Sequence, residues 1–227
     1  MNKPESIPQR GQTTSRIPSA DELGFDPNEL RAKYNYERDR RLRADGEAQY
    51  QDTDGDLYHY NDDPHITERI VREPITGEIE VAILGGGFGG LYMAARLQEA
   101  GIDNFRIIER AGDFGGTWYW NRYPGAQCDV ESYIYLPLLE ETGYMPKEKY
   151  SFGPEIFEHA QRVGRHYDLY PRSLFQTRVS EMRWDDDDSR WTVTTDRGDV
   201  LRAQHVIVSS GSLNRPKLPG IPGVESF

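Results

Sequence analysis

The sequence predicts an α/β fold, in which a domain with a parallel sheet and an inserted antiparallel meander follows a mostly helical or irregular extension. Three observations lead to this prediction. An apolar run of strand type at 81–84 ends in a glycine cluster and continues into helical spacing over 91–97. A second apolar run at 105–108 follows that helix and ends at an acid. Alternation of apolar and polar residues over 174–202 is typical of antiparallel strands.

The glycine cluster has the spacing of a dinucleotide-binding motif. Gly85, Gly87 and Gly90 occupy the three glycine places of G-x-G-x-x-G, between a predicted strand and a predicted helix. The first glycine permits a tight turn, the second lets the backbone approach a pyrophosphate, and the third lets helix and strand pack closely. The phosphates would lie at the helix N-terminus, where unpaired N–H groups favour negative charge. An unrelated glycine-rich turn is the alternative, which the strand–turn–helix context disfavours.

The acid at the end of the second predicted strand indicates which dinucleotide binds. Glu109 lies 19 positions after Gly90. A carboxylate there can bind the ribose hydroxyls of an adenosine and would repel a 2′-phosphate. The first site is therefore expected to hold FAD or NAD and not NADP, in a Rossmann-like domain.

Composition limits the classes of protein to which the chain can belong. Its 227 residues, 36% of them hydrophobic, suffice for one substantial core with an appendage. A net charge of −11 disfavours general nucleic-acid binding and attachment to an anionic membrane surface. The single cysteine excludes an intramolecular disulfide framework, and neither a signal-peptide core nor an apolar run of about 18 residues is found. A cytoplasmic protein is expected.

Residues 1–78 are predicted to form an extension of the main domain. Through about Leu23, the content of Pro, Ser, Thr and Gln is typical of a mobile tail. A helix is then predicted to begin with Asp26 as N-cap and Pro27 at its first position, and to stop near Asp45. It has too few aliphatic side chains to fold alone, so we expect it to dock on the main domain.

Four arginines are concentrated near the end of this predicted helix, at 37–43. They are interpreted as a solvated helix face with acidic partners one turn away. A patch that binds phosphate or a protein partner is the alternative.

The chain after position 150 is predicted to supply a helix and the remaining strands. Residues 154–168 have helical spacing. The histidines of this helix, His159 and His166, are interpreted as surface or packing residues, because no third metal ligand is evident. The strands are predicted at 174–177, 179–184, 191–195, 200–202 and, as a buried parallel strand, 205–210. Prolines 216, 219 and 222 then mark the end of the main domain. That domain is therefore expected over 79–215, with a linker from 216 to 227.

A loop rich in glycine and aromatic side chains is the most specific stretch of the sequence. It reads G-G-T-W-Y-W-N-R-Y-P-G-A-Q-C-D from Gly115 to Asp129. Tandem glycines let a backbone touch a flat ring system, three ring side chains supply stacking, and a carboxylate closes the loop. An aromatic cluster by itself is equally typical of a core or an interface.

The order of residues in this loop resembles the first fingerprint of Baeyer–Villiger monooxygenases, a class of flavoprotein monooxygenases. That fingerprint reads (Ala or Gly)-Gly-x-Trp-x4-(Phe or Tyr)-Pro-Gly-x3-Asp. Its defined places are filled here by Gly115, Gly116, Trp118, Tyr123, Pro124, Gly125 and Asp129. The resemblance extends from about Glu80 to Phe227. The arginine-rich helix and the residues after it are similar to the extension of the cyclopentadecanone and polycyclic ketone monooxygenase subgroup.

The resemblance implies an activity and a set of site residues. In such enzymes NADPH reduces FAD, and a flavin peroxide formed with O2 converts a ketone into an ester or lactone. The implied cofactor-binding residues are Gly85, Gly87, Phe88, Gly90, Glu109, Gly116, Thr117, Trp118, Tyr119, Trp120, Gln127, Cys128, Asp129, Tyr135 and Val179.

Each part of this set has an implied role. The glycines and Phe88 would cradle the pyrophosphate, and Glu109 would hold the ribose. Residues 117–120 would line the flavin, with Asp129 and Tyr135 beside it. Val179 would offer backbone bonds to adenine, and residues 127–129 would face the nicotinamide. Asp129 is also the implied catalytic residue, because the family pairs a carboxylate there with an active-site arginine; without that cation it is expected to be protonated more easily or solvated.

The family also carries features that would follow Phe227. These are a second fingerprint that begins with Phe, a second G-x-G-x-x-G for NADPH, and the arginine. The chain is therefore expected to be an N-terminal fragment or one half of a split protein, inactive alone, with an exposed aromatic surface around Trp118, Tyr119, Trp120 and Tyr123. Its expected partners are a small ketone, O2 and the segment that supplies the NADPH site.

Two further functions remain open at this point. One is a flavin-binding module without turnover of its own, used with a separate NADPH-binding chain. The other is an N-hydroxylating or sulfoxidising flavoprotein monooxygenase, which the fingerprint disfavours.

Overall fold

The computed structural model describes residues 18–223. The predicted mobile tail lies mostly outside the described residues, as does Phe227. The last residues of that predicted tail form a short helix, Ala20–Leu23, because Ser19 and Glu22 make a reciprocal capping box. The described residues divide into two compact units, one within 1–51 and 219–227 and the other over 52–218.

The helices and strands lie close to the predicted positions. The helices are α1 Ala20–Leu23, α2 Pro27–Asp39, α3 Phe88–Glu99, α4 Thr117–Trp120, α5 Ser132–Tyr135, α6 Leu139–Thr142 and α7 Gly153–His166. The strands are β1 Tyr50–Asp52, β2 Thr76–Leu84, β3 Phe105–Ile108, β4 Ser173–Leu174, β5 Val179–Asp185, β6 Arg190–Thr195, β7 Val200–Val208 and β8 Lys217–Pro219. Short 3-10 helices occupy Gly46–Gln49, Gly55–Asn61 and Tyr170–Arg172.

Helix α2 begins as predicted and ends early. The Asp26 side chain accepts a hydrogen bond from the Asn28 N–H group at 2.7 Å, so the predicted N-cap is confirmed. The predicted end near Asp45 is wrong, because the Arg41 N–H group bonds to the Arg38 carbonyl and tightens the last turn. Glu37 pairs with Arg41 at 3.4 Å, as expected for an exposed face. Docking of this helix stays a prediction.

One sheet organises the unit over 52–218. Its strand order is β4-β3-β2-β7-β6-β5. The first four of these strands are parallel and the last two antiparallel. This arrangement confirms the predicted Rossmann-like sheet with its meander. In register, Leu84 lies between Ile108 and Val208, so the carboxyl ends of three parallel strands meet at one edge.

Strand β7 differs from the prediction of two separate strands. It is continuous because Ala203 pairs with Trp191 of the antiparallel β6 and with Ile79 of the parallel β2 at once. Its carboxyl end is not buried as predicted, since Val208 is 62% exposed. The predicted strand at 174–177 is also too long: Gln176 has a φ of 51°, which turns the chain away from the sheet.

Alternate side chains of β2 enter two cores. Val81 and Ile83 pack with α3, α7 and Phe105 on one face. Ala82 and Leu84 pack with residues of β6 and β7 on the other. The two faces thus hold β2 rigidly, and with it the glycine cluster at its end.

A buried ion pair joins residue 72, before the first strand of this sheet, to the turn between β6 and β7. The Arg72 guanidinium donates to both Asp199 carboxylate oxygens at 2.6 Å. The Asp199 side chain is 0% exposed and that of Arg72 is 17% exposed. Burial alone would raise the pKa of Asp199, but hydrogen bonds from Arg72, Thr195 and the Ile75 N–H group lower it to about 2.

Acid should remove the stability that Asp199 contributes. Its pKa is about 2 when folded and 3.8 ordinarily. Between these values the folded protein stays ionised while the unfolded chain takes up a proton. The stabilisation is therefore complete above about pH 4 and lost as the pH falls to about 2, a change of roughly 2 kcal/mol. Urea unfolding between about pH 2 and 5 measures it. Asp199→Asn should flatten the dependence, and an unchanged slope in that variant would contradict the assignment.

Candidate dinucleotide-binding site

The carboxyl edge of β2, β3 and β7 gathers the glycine cluster, Glu109 and Ser209. The Gly85 N–H group donates to the Ile108 carbonyl at 2.9 Å, and the Ser209 N–H group donates to the Leu84 carbonyl at 2.8 Å. In open parallel sheets, ligands bind in the crevice outside this edge. The fold therefore places the predicted motif where a dinucleotide would be bound.

Two of the three motif glycines are required by close backbone contacts. An added Cβ on Gly90 would lie 1.9 Å from the Gly85 carbonyl oxygen, so only glycine lets α3 approach β2 this closely. At Gly85, with a φ of 110°, an added Cβ would lie 2.5 Å from the Ser209 carbonyl oxygen.

The N-terminus of α3 lies at the carboxyl edge of the sheet, directly after β2 and the glycine turn. Gly87 is the N-cap and provides no side chain to cap the helix. The first hydrogen bond of the helix runs from the Leu91 N–H group to the Gly87 carbonyl. The N–H groups of residues 88–90 precede that bond. Such groups, together with the helix dipole, favour an anion such as a phosphate.

The aromatic loop packs directly on the glycine turn. The Gly115 N–H group donates to the Gly86 carbonyl at 3.0 Å. An added Cβ on Gly116 would lie 2.9 Å from the Gly87 Cα atom. The two motifs that the sequence presents separately therefore form one site, with backbone against backbone.

Glu109 is buried, and its carboxylate is held by the backbone. One oxygen accepts a hydrogen bond from the Gly86 N–H group at 2.5 Å, and the other accepts from the Ala111 N–H group at 2.7 Å. Burial raises the pKa of Glu109, while the bonds from Ala111 and Gly86 oppose that rise. Each oxygen retains a second lone pair, so the carboxylate is oriented and can still accept from ribose hydroxyls.

The aromatic side chains of α4 are buried more than the sequence suggested. Trp118 is 9% exposed and Tyr119 is 2% exposed, so the expected exposure of these two rings is wrong. Trp118 is buried because it forms a small core with Cys128, Leu136 and Ile156. Tyr119 instead packs on Phe157 and bonds to Asp63. Tyr123 is 63% exposed, as expected.

Other predicted residues surround this small core. The Trp118 indole N–H group donates to the Tyr135 hydroxyl at 2.8 Å. Burial raises the pKa of Tyr135, and the nearby charge of Asp129 adds to this effect. Asp129 itself is exposed, and in the described part of the chain no cation forms an ion pair with it. It is therefore solvated, one of the two expected states.

The remaining predicted residues lie along the same loop or at the start of β5. Gln127 is exposed and donates through its side-chain amide to the Tyr150 carbonyl at 2.8 Å, while Cys128 is buried. Val179 is half-buried and follows Thr177, whose N–H group donates to the Glu109 carbonyl at 2.9 Å.

A known protein family matches the part of the chain that contains the glycine turn and the aromatic loop. Residues 82–227 match the profile of the family described as pyridine nucleotide-disulphide oxidoreductase. The chain belongs to this family.

Named relatives and solved structures are similar to most of the chain. A Baeyer–Villiger monooxygenase of Stachybotrys chlorohalonatus is 55% identical over 94% of this chain and 34% of its own length. The polycyclic ketone monooxygenase of Thermothelomyces thermophila is 39% identical with a TM-score of 0.78, over 88% of this chain and 35% of its own. OTEMO, solved in complex with FAD and NADP, is 33% identical with a TM-score of 0.61, over 66% of this chain and 29% of its own.

These findings confirm the resemblance to Baeyer–Villiger monooxygenases. A match over 88% of the chain must extend well into the first 78 residues. The likeness to the polycyclic ketone subgroup therefore includes the extension. The chain spans about a third of the length of the curated relatives that it matches.

Two cations of this oxidoreductase domain were missed by sequence reasoning. The Arg110 guanidinium lies 4.5 Å from the centre of the Trp120 ring. Burial lowers the pKa of Arg110, the charge of Arg178 lowers it further, and the charge of Glu109 opposes the change. The sequence pointed to Arg110 only through its position, directly after Glu109 at the end of β3. Together they supply positive charge beside the site.

The described residues contain neither a metal-binding cluster nor a membrane-spanning helix. Residues 18–223 contain no group of three or more His, Cys, Asp or Glu side chains placed to hold a metal ion. Over the same range, no helix combines the length and apolar character that crossing a membrane requires.

Proposed function

We propose that this chain is the FAD-binding part of an NADPH- and O2-dependent monooxygenase that converts ketones into esters or lactones. The observation that carries the proposal is the contact of Gly116 with Gly87, which joins the fingerprint loop to the dinucleotide turn. The names of the relatives, among them a Baeyer–Villiger monooxygenase and a polycyclic ketone monooxygenase, support the same reaction. Cytoplasmic location is part of this proposal.

The residues present fit FAD. The N–H groups of residues 88–90 face the edge where a pyrophosphate would be held. A Cβ added at Gly87 would have only backbone atoms of Gly116 within 4 Å, so no side chain stands there against the approach of a pyrophosphate. Glu109 is fixed to accept the ribose hydroxyls. The flavin supplies the redox and O2-activating chemistry when it is bound, and the protein groups bind and orient it.

The fingerprint residues would define the flavin side of the site. Trp118 and Tyr135, joined by their hydrogen bond, form a fixed wall. Trp120 is half-buried beneath Arg110, and Thr117 begins the turn that follows Gly116. Asp129 is exposed and therefore accessible to a cation from outside the described residues. That pairing would supply the catalytic role that the resemblance implies.

The other proposed contacts of the cofactors follow from position. Val179 would reach adenine from the start of β5, and residues 127–129 would face the nicotinamide of NADPH. The NADPH site and most of the ketone pocket are proposed to lie in sequence that corresponds to the rest of the relatives' length. Which ketone reacts would be determined there.

Replacing Gly87 by alanine should abolish retention of FAD without unfolding the protein. The new methyl would intrude where the pyrophosphate approaches. Within the chain it would lie 3.4 Å from the Gly116 Cα atom, which is an ordinary contact. Purified wild-type protein should release FAD, and not FMN, on denaturation. The measurement is the flavin-to-protein absorbance ratio, together with the melting temperature.

Gly89→Ala is the matched control for this test. Gly89 occupies a variable place of the motif, and its added Cβ would lie 3.5 Å from the Ser209 Cβ atom. This variant should therefore retain FAD. Undiminished FAD in the Gly87 variant, or FMN in the wild type, would overturn the cofactor assignment.

A further inference from the structure

Residues 63–72, which we name the strap, contact three loops of the unit over 52–218. The sequence assigned the strap to the extension. In the structure its first residue contacts the loop after β3, and its last residue contacts the turn before β7. Between them, the Ile70 N–H group donates to the Gln176 side chain at 2.8 Å, after β4. The first of these loops carries proposed cofactor contacts, and the second leads directly into Val179.

The first contact is a three-membered hydrogen-bond group around Asp63. The Tyr119 hydroxyl donates to the Asp63 carboxylate at 2.7 Å. The Gly112 N–H group donates to the same carboxylate oxygen at 3.1 Å and to the Tyr119 hydroxyl at 3.1 Å. Burial raises the pKa of Tyr119, and its bond to Asp63 adds to this rise. The hydroxyl is therefore a donor throughout the ordinary pH range.

The strap also packs against this group. The His65 ring meets the Tyr119 ring edge to face, with centres 5.5 Å apart. An added Cβ on Gly112 would lie 2.5 Å from the Ile66 side chain, so the strap touches the loop backbone. On its other side, the Tyr119 ring lies 4.5 Å from the Arg122 guanidinium. Tyr119 is thus enclosed, with Asp63 as acceptor for its hydroxyl.

Tyr119 lies inside the turn that contacts Gly87. Helix α4 has four residues, one turn only, and a helix of this length is not stable by itself. Its orientation depends on contacts at its sides. Trp118 is held by Tyr135 on one side, and Tyr119 is held by Asp63 on the other. Gly116 directly precedes this turn and touches Gly87.

We propose that Asp63 is a positioning residue for the flavin site: it fixes Tyr119 and Gly112, and so holds the Gly116 backbone against the glycine turn. This inference rests on the proposed function. It makes the strap part of the cofactor site, although the strap itself makes none of the proposed contacts to FAD. Loss of the bond frees the α4 turn and weakens FAD binding more than it weakens the fold.

The test measures FAD binding and folding separately in the 227-residue chain. The variants are Asp63→Ala, Asp63→Asn, Tyr119→Phe and the double variant Asp63→Ala/Tyr119→Phe. FAD affinity is measured by fluorescence titration of the cofactor-free chain, and the visible circular dichroism of bound flavin reports its surroundings. Melting of the cofactor-free chain reports the fold.

Asp63→Ala and Tyr119→Phe should each weaken FAD binding by about tenfold and alter the flavin dichroism. The loss in the double variant should be smaller than the sum of the two single losses, because both substitutions remove the same bond between Tyr119 and Asp63. It should slightly exceed each single loss, since only the double variant leaves the Gly112 N–H group without either acceptor. Asp63→Asn retains an acceptor oxygen for the tyrosine hydroxyl, so it should restore most of the affinity. Additive effects, or an unchanged dissociation constant in Asp63→Ala, would overturn the inference.

Tyr144→Phe is the matched control. The Tyr144 hydroxyl also donates to a carboxylate, that of Glu155 at 2.5 Å, and its ring stacks on His159 of α7. This variant should lower the melting temperature and leave the FAD dissociation constant unchanged. An equal loss of FAD affinity in Tyr144→Phe would overturn the positioning role. A wild-type chain that binds no FAD would instead overturn the proposed function, and the inference with it.

Discussion

Replacing Arg72 by methionine is expected to lower the free energy of unfolding by about 3–5 kcal/mol. The substitution removes the guanidinium that donates twice, at 2.6 Å, to the fully buried Asp199 carboxylate. A buried carboxylate that loses its cation keeps the cost of its desolvation without the compensating attraction. The same substitution removes the 3.1 Å bond from Arg72 to the Thr177 hydroxyl.

Urea unfolding at neutral pH measures this loss, with Arg96→Met as the matched control. Arg96 also pairs with an acid at 2.6 Å, but both side chains are exposed, so its removal should change stability far less. A second substitution, Asp199→Asn, should recover part of the loss in the Arg72 variant, because it removes the unpaired charge. Equal losses in the Arg72 and Arg96 variants would contradict a buried, stabilising pair.

The sheet and the glycine turn were predictable from the sequence because their signals are local. Alternation and apolar runs give β2 and β3 directly, and glycine spacing gives the start of α3. Errors appear where a long-range partner decides the outcome. Strand β7 is continuous because it pairs on both sides, and no local pattern carries that information.

The strap could not be predicted from the sequence either, because its contacts are also long-range. Its bonds join residues far apart in sequence: 56 positions separate Asp63 from Tyr119, and 127 separate Arg72 from Asp199. Composition marks this segment only as polar. Polar side chains that pair across such distances leave no periodicity, so the structure was needed to reveal them.

The aromatic loop shows what a motif does and does not determine. Its residue types correctly indicated the family, and the relatives confirm that resemblance. The motif did not indicate burial: Trp118 lies in a small core because Leu136 and Ile156, which lie outside the fingerprint, cover it. The aromatic surface that was predicted to be exposed is therefore closed at Trp118 and Tyr119, whereas Tyr123 is exposed.

A polypeptide of residues 1–227 alone is expected to convert no ketone into an ester or lactone. The curated relative of Stachybotrys chlorohalonatus is matched over 34% of its length. Within residues 18–223 Glu109 disfavours a 2′-phosphate at the one glycine turn of dinucleotide type, so NADPH lacks a suitable site there. Hydride donation to the flavin should therefore be absent.

The second reason for inactivity is the state of Asp129. It is exposed, and none of the cations in the described residues forms an ion pair with it. The resemblance implies that this carboxylate works with an arginine. Loss of one preorganised electrostatic group of this kind costs about 10²–10³ in rate. The loss of this group, together with the lack of a suitable site for NADPH, should leave no measurable turnover.

The measurement is product formation after the chain is mixed with FAD, NADPH, O2 and a panel of cyclic and aryl ketones. Ester above the level of a boiled control would contradict the expectation, because the 227 residues would then contain a complete site.

Added polypeptide corresponding to the remainder of the relatives should restore turnover if it supplies both the NADPH site and the cation. Asp129→Asn should then reduce the restored rate by a larger factor than it reduces the bound FAD, since its proposed catalytic role is to pair with the added cation. Turnover that is insensitive to this substitution would remove Asp129 from the catalytic role.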